Sequence, residues 1–534
     1  MFQKTKALII TIAGLVCCTV SSAQTGIGVF SASLESNNIA YFQDNGLGVA
    51  GPDDRFGAND YLKMDYSNGQ FSAGIQIEAY LPALYGYEIG TLGNPRQFML
   101  ASKYVRWTNN NLTVHIGDIY DQLGNGLLLR SYEDRHLGFN NSIEGMSAVF
   151  SPTEWLSVKG LAGRPRLYSD YTSTWVRSAS LSFSLDRLLN WDAILLNLEG
   201  NFVNRHESLD NNPSVDFSSM GVTSPELNMY SAALDFGWDA LSLKAEYAMK
   251  GKDIASPSQQ KAHRGAAIFT EAIFDYKSLS ASATFRILDH MGTMLSVASG
   301  VMGTGGTGNS LNYLPSLTRH YTYMLANLNP YQVNVIGEAA FQGDLFYTLR
   351  RSRSQYMVLH GNFSNAYTIA PSQCDDSSKR LMWMDISTDA EIHWNKNLKT
   401  TLLYSRQEWS PSHGFEEGTY VSNVFVADGQ YRFKDSFTLR AELQYLASKD
   451  YEGDWAAALL ELSFAPKWNV FASEMYNIGL THKHYYNVGV SYSKERSRLQ
   501  LSYGRNRAGY LCSGGVCRYS PAYTGVNLLL TTSF

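Results

Sequence analysis

Val526-Asn527-Leu528-Leu529-Leu530-Thr531-Thr532-Ser533-Phe534 ends the chain, and its alternation decides the fold. Val526, Leu528, Leu530, Thr532 and Phe534 share one face of an extended strand, while Asn527, Leu529, Thr531 and Ser533 share the other. A terminal aromatic carboxylate after an alternating strand resembles the signal that the barrel insertion machinery of bacterial outer membranes reads. The residue alone is weak, since any chain can end in Phe. Its weight comes from the segments that precede it.

The same period recurs upstream. In Tyr61-Leu62-Lys63-Met64-Asp65-Tyr66, Leu62, Met64 and Tyr66 take one face and Lys63 and Asp65 the other. Asn68-Gly69 follows, a strong hairpin signal. The return strand sets Phe71, Ala73, Ile75, Ile77 and Ala79 outward against Ser72, Gly74, Gln76 and Glu78. Roughly eleven tight turns of this kind are expected. They fall near Asn68, Asn109, Pro152, Asp186, Asp239, Lys277, Arg351, Asn395, Asp435, Pro466 and Glu495. Between them lie longer polar connections, among them 205–227, 251–265, 288–320, 364–380 and 507–521. Short turns at one end and long loops at the other is the asymmetry of outer-membrane barrels.

The expected fold is therefore all-β, a closed antiparallel transmembrane β-barrel of about 24 strands, in a range of roughly 22 to 26. The upper value applies if 321–341 holds another pair. Aromatic residues near the tight turns (Trp107, Trp155, Trp238, Tyr276, Trp394, Phe433 and Trp468) are expected to form a headgroup-level girdle. A soluble sandwich shares the period of two but has no reason to place rings beside its turns. Aromatics make up 13% of the chain and Pro is scarce at 14 residues, which suits this reading.

The N-terminus reads as a signal peptide over residues 1–23. Lys4 and Lys6 precede an apolar run, and Ser21-Ser22-Ala23 supplies small residues for cleavage. Cys17 and Cys18 raise a lipoprotein signal, but Val16 fits poorly before a lipidated cysteine. Residues 24–534 are then a single barrel domain, with alternating strands from near Ile27 and no N-terminal plug domain. No later apolar run approaches the length of a membrane helix. A formal net charge of −5 gives no case for nucleic-acid binding. Cys512 and Cys517 bracket Ser-Gly-Gly-Val, a loop able to close as a disulfide in an oxidising compartment or to carry free thiols. Cys374 has no evident partner.

Three stretches resemble a Bacteroidota family of outer-membrane barrels without an assigned function. They are Gly117-Asp118-Ile119-Tyr120-Asp121-Gln122-Leu123-Gly124-Asn125-Gly126 continuing to Tyr132-Glu133-Asp134-Arg135, Gly337-Glu338-Ala339-Ala340-Phe341-Gln342-Gly343-Asp344-Leu345-Phe346-Tyr347, and Ser31-Ala32-Ser33-Leu34-Glu35-Ser36-Asn37-Asn38. The resemblance covers the mature chain. It implies fold and location and brings no activity with it.

The segment 121–143 is the most informative connection. Gly124 and Gly126 permit tight bends, and Arg130, Glu133, Asp134 and Arg135 place both charge signs within six positions. Folded inward, these charges set a field for polar solutes in the lumen. Alternatively they form a salt-bridged ladder that pins the loop to the wall, and the two roles are compatible.

Other motifs are weaker. Gly300, Gly303, Gly305, Gly306 and Gly308 lack the Lys-Ser or Lys-Thr of a phosphate loop and read as a flexible surface loop. His360 and Ser364 share parity, with Asn365 beside them, which prompts comparison with outer-membrane phospholipases. The closely spaced His-x-Ser-Asn of that family is absent. His482 and His484 share a strand face without a third metal ligand. Asp53, Asp54, Asn59 and Asp60 form an oxygen-rich cluster in the first long loop, without EF-hand spacing. No metal, cofactor or catalytic site is expected.

A barrel of this size encloses a lumen that its side chains cannot fill. The expected function is a porin-like channel or transporter for polar solutes, narrowed by loops such as 121–143 and 288–341. The alternative is a structural or assembly barrel that docks a surface lipoprotein or secretion component. A surface phospholipase is third. The expected location is the outer membrane, in contact with its lipid, with both termini periplasmic.

Overall fold

The computed structural model describes residues 28–87, 97–210, 214–303, 308–369, 380–513 and 516–534. The expected signal peptide and Cys374 lie outside these residues.

The alternating segments pair as antiparallel hairpins. Phe56–Asn68 returns through Gly69-Gln70 into Phe71–Tyr80, with Lys63 opposite Gln76 and Asn68 opposite Phe71. Two-residue turns need left-handed backbone to match strand twist. Gly69, Asp239, Lys277 and Glu495 supply it with φ between 49° and 56°. The connection near Asp186 is wider and holds a short helix, Leu185–Leu189, ended by a left-handed Asn190.

Each hairpin joins the next, and the sheet closes on itself. Val29–Phe42 pairs with Phe56–Asn68 on one side and with Tyr523–Ser533 on the other, from Ser33 opposite Ser533 to Phe42 opposite Thr524. Among the described residues the result is a closed antiparallel barrel of 24 strands, with almost no helix. A two-residue strand, Asp170–Tyr171, is annexed to the end of Leu156–Leu167. Closure leaves no unpaired edge, the condition for a sheet in hydrocarbon. Both terminal strands have their outer ends at the tight-turn end of the barrel. The region 321–341 adds no extra pair: its strand begins at Gly337, and 321–336 runs inside the barrel instead.

The outer face carries exposed Ile75, Val105, Ile116, Met146, Leu243, Leu402, Leu443 and Leu460. So continuous an outward apolar belt is the pattern of outer-membrane β-barrels. Trp238, Tyr276, Trp394, Phe433 and Trp468 are all about half exposed beside the tight turns. Ring stacks such as Phe437 on Phe464 and Trp155 on Phe183 continue the girdle. The opposite faces point into the lumen, where Gln76 and Glu78 are buried.

Candidate functional site

Two long loops fold into the lumen at the long-loop end. The first, residues 120–142, descends to a tip at Gly124 and Gly126, both left-handed at φ 49° and 84°. The Gly124 amide donates to Glu199 Oε1 at 3.3 Å and the Asn125 amide to Glu246 Oε2 at 2.6 Å. Glycine is favoured here. A Cβ would stand 2.6 Å from Glu246 Oε2, and a side chain in left-handed backbone costs about 1–2 kcal/mol. Gly124→Ala is expected to lower the temperature at which protease first cuts the loop while the barrel remains folded.

Behind the tip, Leu123, Leu127, Leu128 and Leu129 are fully buried. They pack with inward-facing Val176, Val203, Met229, Ala248, Ala267 and Leu288. The lumen wall is thus apolar near the long loops, where a water-filled barrel would be polar. This departure is visible in the sequence as inward-parity apolar residues near the loop ends of successive strands, a signal the alternation argument passes over.

The second loop, residues 290–336, begins with a short helix, Val297–Val301. Buried Glu207 accepts from Ser296 Oγ at 2.7 Å and from the Val297 and Ala298 amides at 2.9 and 3.2 Å. Those amides have no partner within the helix, so the carboxylate satisfies its first turn. The expectation of a flexible surface loop is therefore wrong for Gly300. It is buried, and a Cβ there would meet Met294 Sδ. Residues 304–307, with Gly305 and Gly306, lie outside the described residues.

Wall side chains grip the backbone of this loop. Arg205 pairs with Asp253 at 2.8 Å and donates to the Met294 carbonyl at 2.7 Å. Lys250 donates to the Gly292 carbonyl, and Arg286 to that of Pro315. Further on, Tyr321 donates to Asp385 at 2.6 Å and Gln407 to the Ala326 carbonyl at 2.9 Å. Tyr321, Tyr323 and Leu325 pack on Leu403, Val424 and Leu446 of the wall. The loops also hold each other: Asn312 Nδ2 donates to the Leu127 carbonyl at 2.7 Å, and the Arg130 amide to that of Leu311 at 2.9 Å.

The four charged residues of the first loop take separate places. Arg130 donates to the Tyr313 carbonyl at 3.2 Å and lies over the Tyr132 ring. Burial raises the Tyr313 phenol well above its ordinary pKa, and the neighbouring Tyr132 and Tyr168 add to this. Glu133, Asp134 and Arg135 belong to a small hairpin, Glu133–Asp134 with Phe139–Asn140. Arg135 bridges Glu133 at 3.1 Å to Glu35 of the wall at 3.2 Å, and also reaches Gln76. Burial disfavours its cation, but Glu133 and Glu35 outweigh that and raise the guanidinium pKa. Asp134 Oδ1 accepts the Leu137 amide.

This hairpin separates two spaces, with Leu137 bordering both. One is a water-sized cavity of about 30 Å³ against Tyr61, Glu78, Glu133, Arg135 and Arg166. The other is a cavity of about 310 Å³ bordered by Asp134, the second loop and the hairpin Gly509–Ser513 with Val516–Ser520. Cys512 and Cys517 are joined as a disulfide in that last hairpin.

The remaining candidates are not brought together. His360 faces the lumen with one ring nitrogen on Asp344 and the other on Asp389, at 2.9 and 3.0 Å. Ser364 is buried against Thr318, while Asn365 takes the opposite face of the strand. The shared-face reading of His482 and His484 is corrected: the strand begins at His484, which meets Glu474, and His482 lies before it at φ 51°. The Asp53 cluster is also split. Asp53 and Asp54 are exposed in the loop, whereas Asn59 and Asp60 belong to the strand Phe56–Asn68. Val526, Leu528 and Leu530 take the outward face of the closing strand, and Phe534 is tied by its amide to the Ala32 carbonyl.

Among solved structures, the chain is similar to the translocation pore of the P pilus usher PapC at 8% identity and a TM-score of 0.46, covering 95% of this chain and 99% of that one. It is similar to the siderophore receptor PirA of Pseudomonas aeruginosa at 9% identity and a TM-score of 0.43, covering 95% and 80%. OpdK of the same organism, solved with vanillate, gives 9% identity and a TM-score of 0.34, covering 95% and 98%. No curated protein matches. The family model that does match spans residues 3–534, and the chain accordingly belongs to DUF6029, a family of unknown function.

Proposed function

We propose that this protein is a channel or transporter for polar solutes in a Bacteroidota outer membrane, with its long loops outside and both termini periplasmic. The observation that carries the reading is the Glu133–Asn140 hairpin. It stands between the mouth cavity and the polar wall at Glu35 and Gln76, and Arg135 ties it to that wall. Toward the tight turns, inward-facing Lys63 and Asp65 are substantially exposed, 3.8 Å apart. A solute entering from the mouth meets a charged constriction and then a wetter vestibule. Diffusion through it needs no catalytic group and no cofactor.

Reconstitution into planar bilayers tests this. The wild type is expected to show small conductance steps, and Arg135→Ala larger ones with altered ion selectivity, because the latch to Glu35 is removed. A folded barrel that stays silent in both forms refutes the reading. The extensive apolar packing of the loops favours a second reading, a barrel that docks a surface lipoprotein or secretion component and conducts little. Under it, mild-detergent isolation yields a stoichiometric partner.

A further inference from the structure

The 310 Å³ cavity at the mouth is bordered by three long loops and lies within the size range of small-molecule sites, about 300–1,000 Å³. Aromatic rings form much of its wall, and their polar ends are already engaged behind them. Tyr321 donates to Asp385, Tyr331 to Glu338, and Trp383 Nε1 to Thr318 Oγ1 at 2.9 Å. Tyr331 and Trp383 are stacked, with centroids 5.9 Å apart. These three rings are nearly buried, at 6%, 5% and 3% exposure, so what they offer the cavity is the strip of ring surface that this packing leaves open. Across it, Tyr510 is about half exposed.

The charged lining is balanced. Arg319 is spent on Asp389 at 2.6 Å and on the Tyr321 ring. Among the described lining residues, no other guanidinium or ammonium borders the space. The remaining polar groups, including Asp134, Asn327 and two imidazoles, are hydrogen-bonding groups placed around apolar surface. A strongly anionic solute lacks an unspent cation here. An aliphatic one leaves the polar groups unmatched, at a cost. A sugar ring has both a C–H face for stacking and a hydroxyl edge for hydrogen bonds.

We infer that the cavity receives an uncharged, hydroxyl-rich solute, a sugar ring, before it reaches the Arg135 constriction. This rests on the channel reading and names the substrate class of that path. The test uses the full-length barrel in detergent, titrated with glucose, N-acetylglucosamine and maltotriose, and with benzoate and spermidine as charged comparators. The expected result is saturable tryptophan-fluorescence change with at least one sugar and none with the comparators. Ser316→Trp, which fills the cavity, and Tyr510→Ala, which removes a ring, are each expected to weaken binding about tenfold or more. Both variants must keep the wild-type heat-modifiable gel shift. Absence of saturation with all three sugars, equal binding of a charged probe, or binding untouched by Ser316→Trp overturns the inference. Conductance of the same preparation separates the two readings. Sugar silence in a conducting barrel overturns only the sugar site, and binding by a non-conducting barrel overturns only the channel.

Discussion

Replacing Leu127 and Leu128 together by Asp is expected to raise single-channel conductance severalfold while leaving the barrel folded. Both side chains are fully buried between the first loop and the lumen wall, among Val203, Met229 and Leu288. An ionised carboxylate has no partner in those surroundings, and its desolvation exceeds what loop packing returns. The strand ladder does not depend on the loop, since wall pairing is continuous without it. The loop therefore leaves the wall and the barrel remains. The milder Leu128→Ala is expected to cost the loop about 2–5 kcal/mol through lost transfer energy and a cavity. Bilayer recordings read the conductance, and the gel shift on heating reads the fold. Unchanged conductance in a folded double variant means that the leucines do not close the path.

Asp253→Ala is expected to give the largest loss of stability from a single wall substitution, about 3–5 kcal/mol. Its carboxylate neutralises two buried cations, Arg205 at 2.8 Å and Lys250 at 3.8 Å, whose side chains are 4% and 0% exposed. Truncation leaves both charges in the protein without their counter-ion. The same cations hold the Met294 and Gly292 carbonyls, so the second loop loosens with them. Replacing all three charged groups by apolar residues of similar volume is expected to recover part of the loss, because the two cations leave with Asp253 and only buried Glu207, which interacts with Arg205, loses an opposite charge. Urea unfolding in detergent measures both. A midpoint unmoved by Asp253→Ala removes the triad as a stabilising element.

The barrel was legible because its information is local. Alternation about Asn68-Gly69 fixes which face of Phe71–Tyr80 points outward, and the same reading at the other tight turns gives strand number and direction. The pair left open over 321–341 was undecided for the same reason. Its apolar residues Tyr321, Tyr323 and Leu325 resemble a strand in period, yet their partners are lumen-facing side chains on distant strands. The glycine-rich run misled for a related reason. This holds for Gly300, buried in a short helix whose first turn is satisfied by Glu207 from another connection, which carries no mark in the sequence around it, whereas Gly303 is exposed as expected.

The charges of the first loop show how far a motif reaches. Their proximity in the sequence showed that they would interact with something. It did not show that Arg130 would serve the Tyr313 carbonyl, or that Arg135 would cross to Glu35.

The alternation ending at Phe534, and its repetition upstream, was enough for a closed barrel with tight turns at one end and long loops at the other. A strand's period and a turn's backbone are set by neighbours a few residues away. Which loops enter the lumen, what they grip and which spaces they leave was settled by folding. Those contacts join residues as far apart as Leu127 and Asn312, and a pairing across 185 residues leaves no local pattern to read.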